Sequence, residues 1–214
     1  MPTLTPLYSP REELANTITH GLGALLSLCA LVFLVVFASL DGNAYHIVSC
    51  SIFGGTLLLL YSMSTFYHWV RTPRWKTLFR ALDHSSIFLL IAGTYTPFTL
   101  VSLQGGWGWT LFGLVWGLAI IGVVLETVTG QKLKKLSLGL YITMGWLIII
   151  AAKPLLANVA VGGLVLLVGG GLCYTFGIVF YVWQSLAFSH AIWHLFVLGG
   201  SLFHFFAVFF YVIP

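Results

Sequence analysis

Two histidines, His190 and His194, stand four residues apart in SHAIWH (189–194), and a third, His68, closes STFYH (64–68). On a helix, positions i and i+4 point the same way one turn apart, so this pair can present two imidazoles to one point. A third imidazole from another segment makes a three-nitrogen site with one position open. That is the pattern of catalytic Zn2+, whereas structural zinc usually has four closed protein ligands. Asp83, in LDHSSI (82–87), is a candidate catalytic residue that would hydrogen-bond a water on the metal or orient a ligand. Bound zinc lowers the pKa of such a water to about 7, which suits attack on an amide or ester carbonyl presented from a bilayer. Asp83 can equally cap an apolar helix that begins beside it, and a carboxylate has oxygens enough for both roles.

Ser64 lies one turn before His68 and is the second candidate catalytic residue. Its hydroxyl either bonds back to the carbonyl one turn earlier or reaches a zinc ligand or bound water, and a serine nucleophile is the weakest reading. Glu13, Asn16 and His20 recur at i, i+3 and i+7, so they share one helix face. They form either a polar stripe lining the cytoplasmic mouth of the site or an interfacial cap.

The elements that must position these residues follow from composition. Of 214 residues, 59% are hydrophobic and 7% charged, with a mean hydropathy of +1.02. An average soluble domain is roughly 25% charged, so the chain reads as an integral membrane protein whose partners are membrane lipids. Seven apolar runs approach the roughly 17 to 25 residues needed to cross a bilayer. They lie near 17–40, 45–68, 83–103, 108–128, 136–153, 158–183 and 190–212. Between them stand Asp41-Gly42-Asn43, the basic stretch 71–80, Gln104-Gly105-Gly106, Gly130-Gln131-Lys132, Lys153-Pro154 and Gln184-Ser185. Links this short make sequential helices neighbours. The expectation is therefore an all-α, seven-helix transmembrane bundle, a single domain over 1–214 with a short cytoplasmic leader at 1–16. No cleavable signal peptide is expected, because the first apolar run follows a polar leader and no small-residue cleavage site follows it.

Cations set the orientation. With an inside N-terminus, Arg11, Arg71, Arg74, Lys76, Arg80, Lys132, Lys134 and Lys135 all fall inside, leaving only Lys153 outside. The N-terminus is thus expected in the cytoplasm and the C-terminus outside. The net charge of +4 then reads as a topology signal and a contact with anionic headgroups, not as a nucleic-acid footprint. An ionisable group at membrane depth costs on the order of 2.5 to 3.5 kcal/mol, so each one needs a partner or a task. In this topology His68, Asp83, His190 and His194 reach one depth at the cytoplasmic side, with Ser64, Glu13, Asn16 and His20 nearby.

Other polar residues fall outside this group. His204 lies ten residues beyond His194, roughly 15 Å deeper by helix rise. His84 points away from Asp83, and His46 belongs to the outer side. Glu126 reads as a solvated or lysine-paired residue near Lys132. Cys29, Cys50 and Cys173 sit singly in apolar runs without a Cys-x-x-Cys pair and read as packing residues. Pro97 in GTYTPF marks a kink, and VGGGL (168–172) marks close helix packing.

The blocks EELANTITHG (12–21), STFYH, LDHSSI, AGTYTP (92–97) and SHAIWHLFVLGGSLFH (189–204) together resemble the hemolysin III branch of the progestin and adipoQ receptor family. The likeness runs over almost the whole chain. It implies seven helices with a cytoplasmic N-terminus, and a zinc ion on the histidine of Ser-x-x-x-His and the two histidines of the last block. Those places fall on His68, His190 and His194, with Asp83 contacting bound water and Ser64 as the accompanying serine. The wider superfamily includes alkaline ceramidases, which implies a zinc-dependent lipid amide or ester hydrolase with its lipid substrate inside the bundle. The short leader is similar to that of bacterial members, which implies the bacterial plasma membrane and not hormone reception. The alternative is a non-enzymatic sensor or regulator of membrane state, or a pore-forming haemolytic protein, with zinc in a structural role.

Overall fold

A computed structural model describes residues 8–214, the side chain of Gln131 excepted. The first seven residues of the expected leader lie outside the described residues. Among the described residues every regular element is helical. Helix α1 (Pro10–Asp41) opens with Ser9 as N-cap, where Ser9 and Glu12 exchange side-chain and backbone hydrogen bonds and Pro10 occupies the first turn. Gly42 ends it, and Asn43 caps α2 (Ala44–Trp69) in a second reciprocal box with His46, which accounts for that histidine at this end. Helix α3 (Pro73–Pro97) runs directly into a wider π-helical stretch at Phe98–Leu103, which continues the same crossing. Helices α4 (Gly105–Thr129), α5 (Lys134–Trp146), α6 (Ala152–Asn158), α7 (Val161–Val182) and α8 (Ser189–Tyr211) follow. Seven crossings are long and apolar enough to span a membrane, with α5 and α6 together making the fifth. Leu25, Val32, Ile120, Val165 and Phe176 point outward from the bundle, as lipid-facing residues must.

Two boundaries differ from the sequence expectation. The basic stretch 71–80 is not a link: α3 already begins at Pro73, whose missing N–H costs nothing in a first turn. Asp83 therefore lies well inside α3 and is not its N-cap, correcting that reading. Lys153-Pro154 likewise does not end the fifth crossing. The break comes earlier, in a 3-10 turn at Leu147–Ala151, and Pro154 sits in the first turn of α6.

Tyr95 repairs that break. Its hydroxyl lies 2.7 Å from the carbonyl of Met144 and 3.0 Å from that of Gly145, and accepts from the Ile148 N–H at 2.9 Å. Backbone groups freed from a helix inside hydrocarbon need such a partner. Tyr95→Phe is expected to lower stability by about 1 to 3 kcal/mol, the cost of unsatisfied buried polar groups. Thermal unfolding in detergent measures this, and an unchanged midpoint would mean that the tyrosine is not what satisfies the break. The glycines of 168–172 do pack closely: a Cβ on Gly170 would stand 2.7 Å from His204 Nε2, so α7 and α8 meet there only because the side chain is absent.

Candidate metal centre

By alternation of the crossings, the start of α1, the end of α2, the start of α3 and the start of α8 share one end of the bundle, which carries eight of the nine cations. At this basic end, His68 in the last turn of α2 meets His190 and His194 in the first two turns of α8. The ring centroids are 5.1 Å apart for His68 and His190, 5.2 Å for His68 and His194, and 4.6 Å for His190 and His194. One ring nitrogen from each lies within 4.8 Å of the other two, and all three residues are buried.

The outward nitrogen of each ring is engaged. His68 Nδ1 lies 2.7 Å from Glu13 Oε2, His190 Nδ1 lies 3.0 Å from the Tyr8 hydroxyl, and His194 Nδ1 lies 3.0 Å from Thr19 Oγ1. Two of these contacts dictate the tautomer. Glu13 takes a hydrogen bond from Lys76 Nζ at 2.7 Å on its other oxygen, so its carboxylate accepts from His68 Nδ1–H. The Thr19 hydroxyl spends its hydrogen on the Ala15 and Asn16 carbonyls at 2.9 and 3.0 Å, so it too accepts, from His194 Nδ1–H. The Nε2 atoms of His68 and His194 therefore carry free lone pairs. All three Nε2 atoms are buried without a hydrogen-bond partner. Buried polar atoms normally have one. Three buried, partnerless imidazole nitrogens form a group that could hold a metal ion.

The other expected site residues gather around this triad. Asp83 is buried at this end of the bundle, near both His84 and His68. Ser64 Oγ lies near that carboxylate, fully buried and without a hydrogen-bond partner of good geometry. Asn16 stands with its amide 3.4 Å from His68 Nδ1. His20 is not at a solvated mouth: it is fully buried, its ring lies parallel to His194 with centroids 3.4 Å apart, and neither nitrogen has a partner. Seven of the nine partnerless buried side-chain atoms among the described residues belong to this neighbourhood, which marks it as built for groups other than protein. A cavity of about 210 Å3 begins at His20 and Asp83 and runs between α3, α5, α7 and α8 past Ile91 and Tyr174 to His204. Its walls are otherwise mostly apolar.

Sequence reasoning missed Tyr8, Thr19 and Lys76. Thr19 lies three residues after Asn16 and could have been found by extending the polar face of the first helix. Tyr8 precedes that helix, and no spacing rule reaches it. The Tyr8 ring packs on His190 and His68, with centroids 4.8 and 5.7 Å away, and burial raises its hydroxyl above the ordinary tyrosine range, keeping it neutral. Glu126 requires a correction. It is buried, not solvated or paired with Lys132: its carboxylate meets His84 Nδ1 at 3.2 Å and accepts from Ser137 Oγ at 3.0 Å. The face of α4 that carries Glu126 turns inward to α3 and α5, which proximity to Lys132 in sequence could not reveal. His84 is engaged by Glu126 and does not belong to the triad, and His204 stays apart from it, 3.3 Å from the Leu167 carbonyl. The three cysteines are free, and Cys50 packs in the core.

Fold and site together define a multi-pass, seven-helix membrane protein with a three-histidine cluster buried at one end of the bundle, a class that in bacteria resides in the plasma membrane. The chain belongs to the haemolysin III family: the model described as "Haemolysin-III related" matches residues 8–205. It is 50% identical over 204 residues to Hemolysin-3 of Bacillus cereus, covering 95% of this chain and 93% of that one. A Hemolysin-3 homolog of Bacillus subtilis is 49% identical over 207 residues, 97% of each chain. The likeness extends to the human monocyte to macrophage differentiation factor, 29% identical over 216 residues, 96% of this chain and 87% of the relative. No solved structure matches the chain.

Proposed function

We propose that this protein is a zinc-dependent hydrolase of a lipid amide or ester, with its metal site near the cytoplasmic face and its N-terminus inside. The single observation that supports this most directly is the set of three partnerless Nε2 atoms on buried histidines beside an apolar cavity. Two of them carry lone pairs by their hydrogen bonding, and three neutral imidazoles suit a divalent ion of borderline softness with a coordination position to spare. Zinc bound there supplies Lewis acidity, polarising a carbonyl and lowering the pKa of a water. His68, His190 and His194 hold the ion. Asp83 accepts a proton from the attacking water and returns it to the departing amine or alcohol as the carbonyl carbon–nitrogen or carbon–oxygen bond breaks. Ser64 hydrogen-bonds the Asp83 carboxylate or the reacting water. The mostly apolar cavity takes the acyl chain from the surrounding lipid and excludes bulk water.

Asp83→Asn is expected to keep its metal and to lose about 100-fold or more in turnover, as for loss of a positioned acid–base group. Elemental analysis of purified protein, followed by a hydrolysis screen over ceramides and phospholipids on the same samples, checks both halves. Metal without hydrolysis of any lipid would sink the catalytic half. The second reading, favoured by the name Hemolysin-3 of two relatives, is a lytic or regulatory membrane protein in which the ion staples α2 to α8. Liposome leakage that persists when turnover is absent would support it.

A further inference from the structure

None of the three histidines belongs to α1, yet one short stretch of chain, 8–19, engages the outward nitrogen of every one of them. Tyr8 meets His190, Glu13 meets His68, and Thr19 meets His194. The same stretch is fastened to its surroundings independently of the histidines. Glu12 Oε1 accepts the backbone N–H of Phe188 at 3.1 Å, just before α8 begins, and Phe188 turns the chain with a positive φ of 59°. On the other side, Lys76 joins Glu13 to the Tyr67 carbonyl, tying α1 to α3 and to the end of α2 at 2.7 Å in both contacts. Stretch 8–19 thus bridges both elements that carry the imidazoles, and it does so through side-chain hydrogen bonds that a small shift of α1 would break together.

We propose that segment 8–19 is a clasp that governs how tightly and how long the three-histidine site retains its metal. This rests on the metal reading above. An acceptor on Nδ1–H fixes the ring angle and tautomer and raises the donor strength of the opposite nitrogen. Tyr8 adds a physical cover, because its ring rests on both His190 and His68 at the basic end. With the clasp closed, the three Nε2 atoms converge. When it is displaced, α2 and α8 each hold their histidines without a common template, and the ion is free to exchange.

The test uses full-length protein in detergent loaded with Co2+, whose visible bands report ligand geometry, challenged with excess chelator. Tyr8→Phe keeps the ring and removes one hydroxyl, Thr19→Val removes the other, and Thr19→Ser restores an acceptor at the same place. Loss of either hydroxyl is expected to weaken retention by about 10- to 100-fold and to shift the cobalt bands, as removal of a ligand-orienting partner does. Thr19→Ser should return to wild-type behaviour, which a general packing defect would not. Should Thr19→Val fail to fold, Tyr8→Phe at the helix entrance tests the same point. Cobalt bound by wild type and released at the same rate from both variants overturns the clasp and leaves the metal reading standing. Wild type that takes up neither cobalt nor zinc overturns the metal reading, and the clasp with it.

Discussion

Replacing His194 with alanine is expected to leave the protein essentially free of metal, where the wild type is expected to carry about one zinc per chain in a three-ligand site of this type. His194 is fully buried and lies between the other parts of the site: 4.6 Å from His190, 5.2 Å from His68 and stacked on His20. Its removal leaves two imidazoles from different helices, and it strands the Thr19 hydroxyl and the face of His20. The loss also appears in stability. An ion present at about 1,000 times its dissociation constant stabilises the state that binds it by about 4 kcal/mol. Wild type should therefore melt earlier after chelation, whereas His194→Ala should melt early with or without chelator. Elemental analysis alongside thermal unfolding decides the matter. A variant that retains full zinc, or a wild type whose melting ignores the chelator, would defeat the assignment of these three residues as ligands.

The second large effect lies elsewhere in the bundle. Glu126→Leu should destabilise the protein by about 3 kcal/mol, because it removes one member of a buried pair and leaves the other without its partner. His84 and Ser137 both lose their hydrogen-bonding group, and with it the two bonds through which this carboxylate joins α4 to α3 and to α5. Tyr141 continues to donate to the His84 carbonyl at 2.9 Å, and Tyr95 to the Met144 carbonyl at 2.7 Å, so α3 and α5 stay linked. Glu126→Gln keeps an acceptor for Ser137 and should cost less. Metal content should stay at the wild-type level in both, since Glu126, His84 and Ser137 are not among the three histidines that could hold the ion. Unfolding in detergent with parallel metal analysis separates the two sites. A Leu variant that melts with wild type would mean that Glu126 is solvated after all.

Much of the site was legible because its chemistry is local on a helix. The four-residue interval between His190 and His194 already aims two rings one way, and the expense of ionisable groups in lipid singles out His68 and Asp83 as residues with a task. The same reasoning set the seven crossings by the length of their apolar runs. It misjudged α3 because basic residues and a proline read as a link, although proline is at home in a first helical turn. It ended the fifth crossing at Lys153-Pro154 for the same reason, and overlooked the break at Leu147–Ala151, which depends on a tyrosine hydroxyl from another helix.

What lay beyond the sequence shares one physical cause: it depends on which residues of distant segments face each other. The partner of Glu126 is His84, 42 residues away, and not the neighbouring Lys132, because rotation of α4 about its axis decides where that carboxylate points. His20 belongs to an interfacial stripe by spacing, yet packing against α8 buries it on His194. Composition and periodicity alone determined that this is a helical membrane protein with a histidine pair on its last helix. Only the tertiary structure decided that His68 meets that pair, and that Tyr8, Glu13 and Thr19 turn three partnerless nitrogens toward one point, because hydrogen-bond direction is a property of neighbours in space.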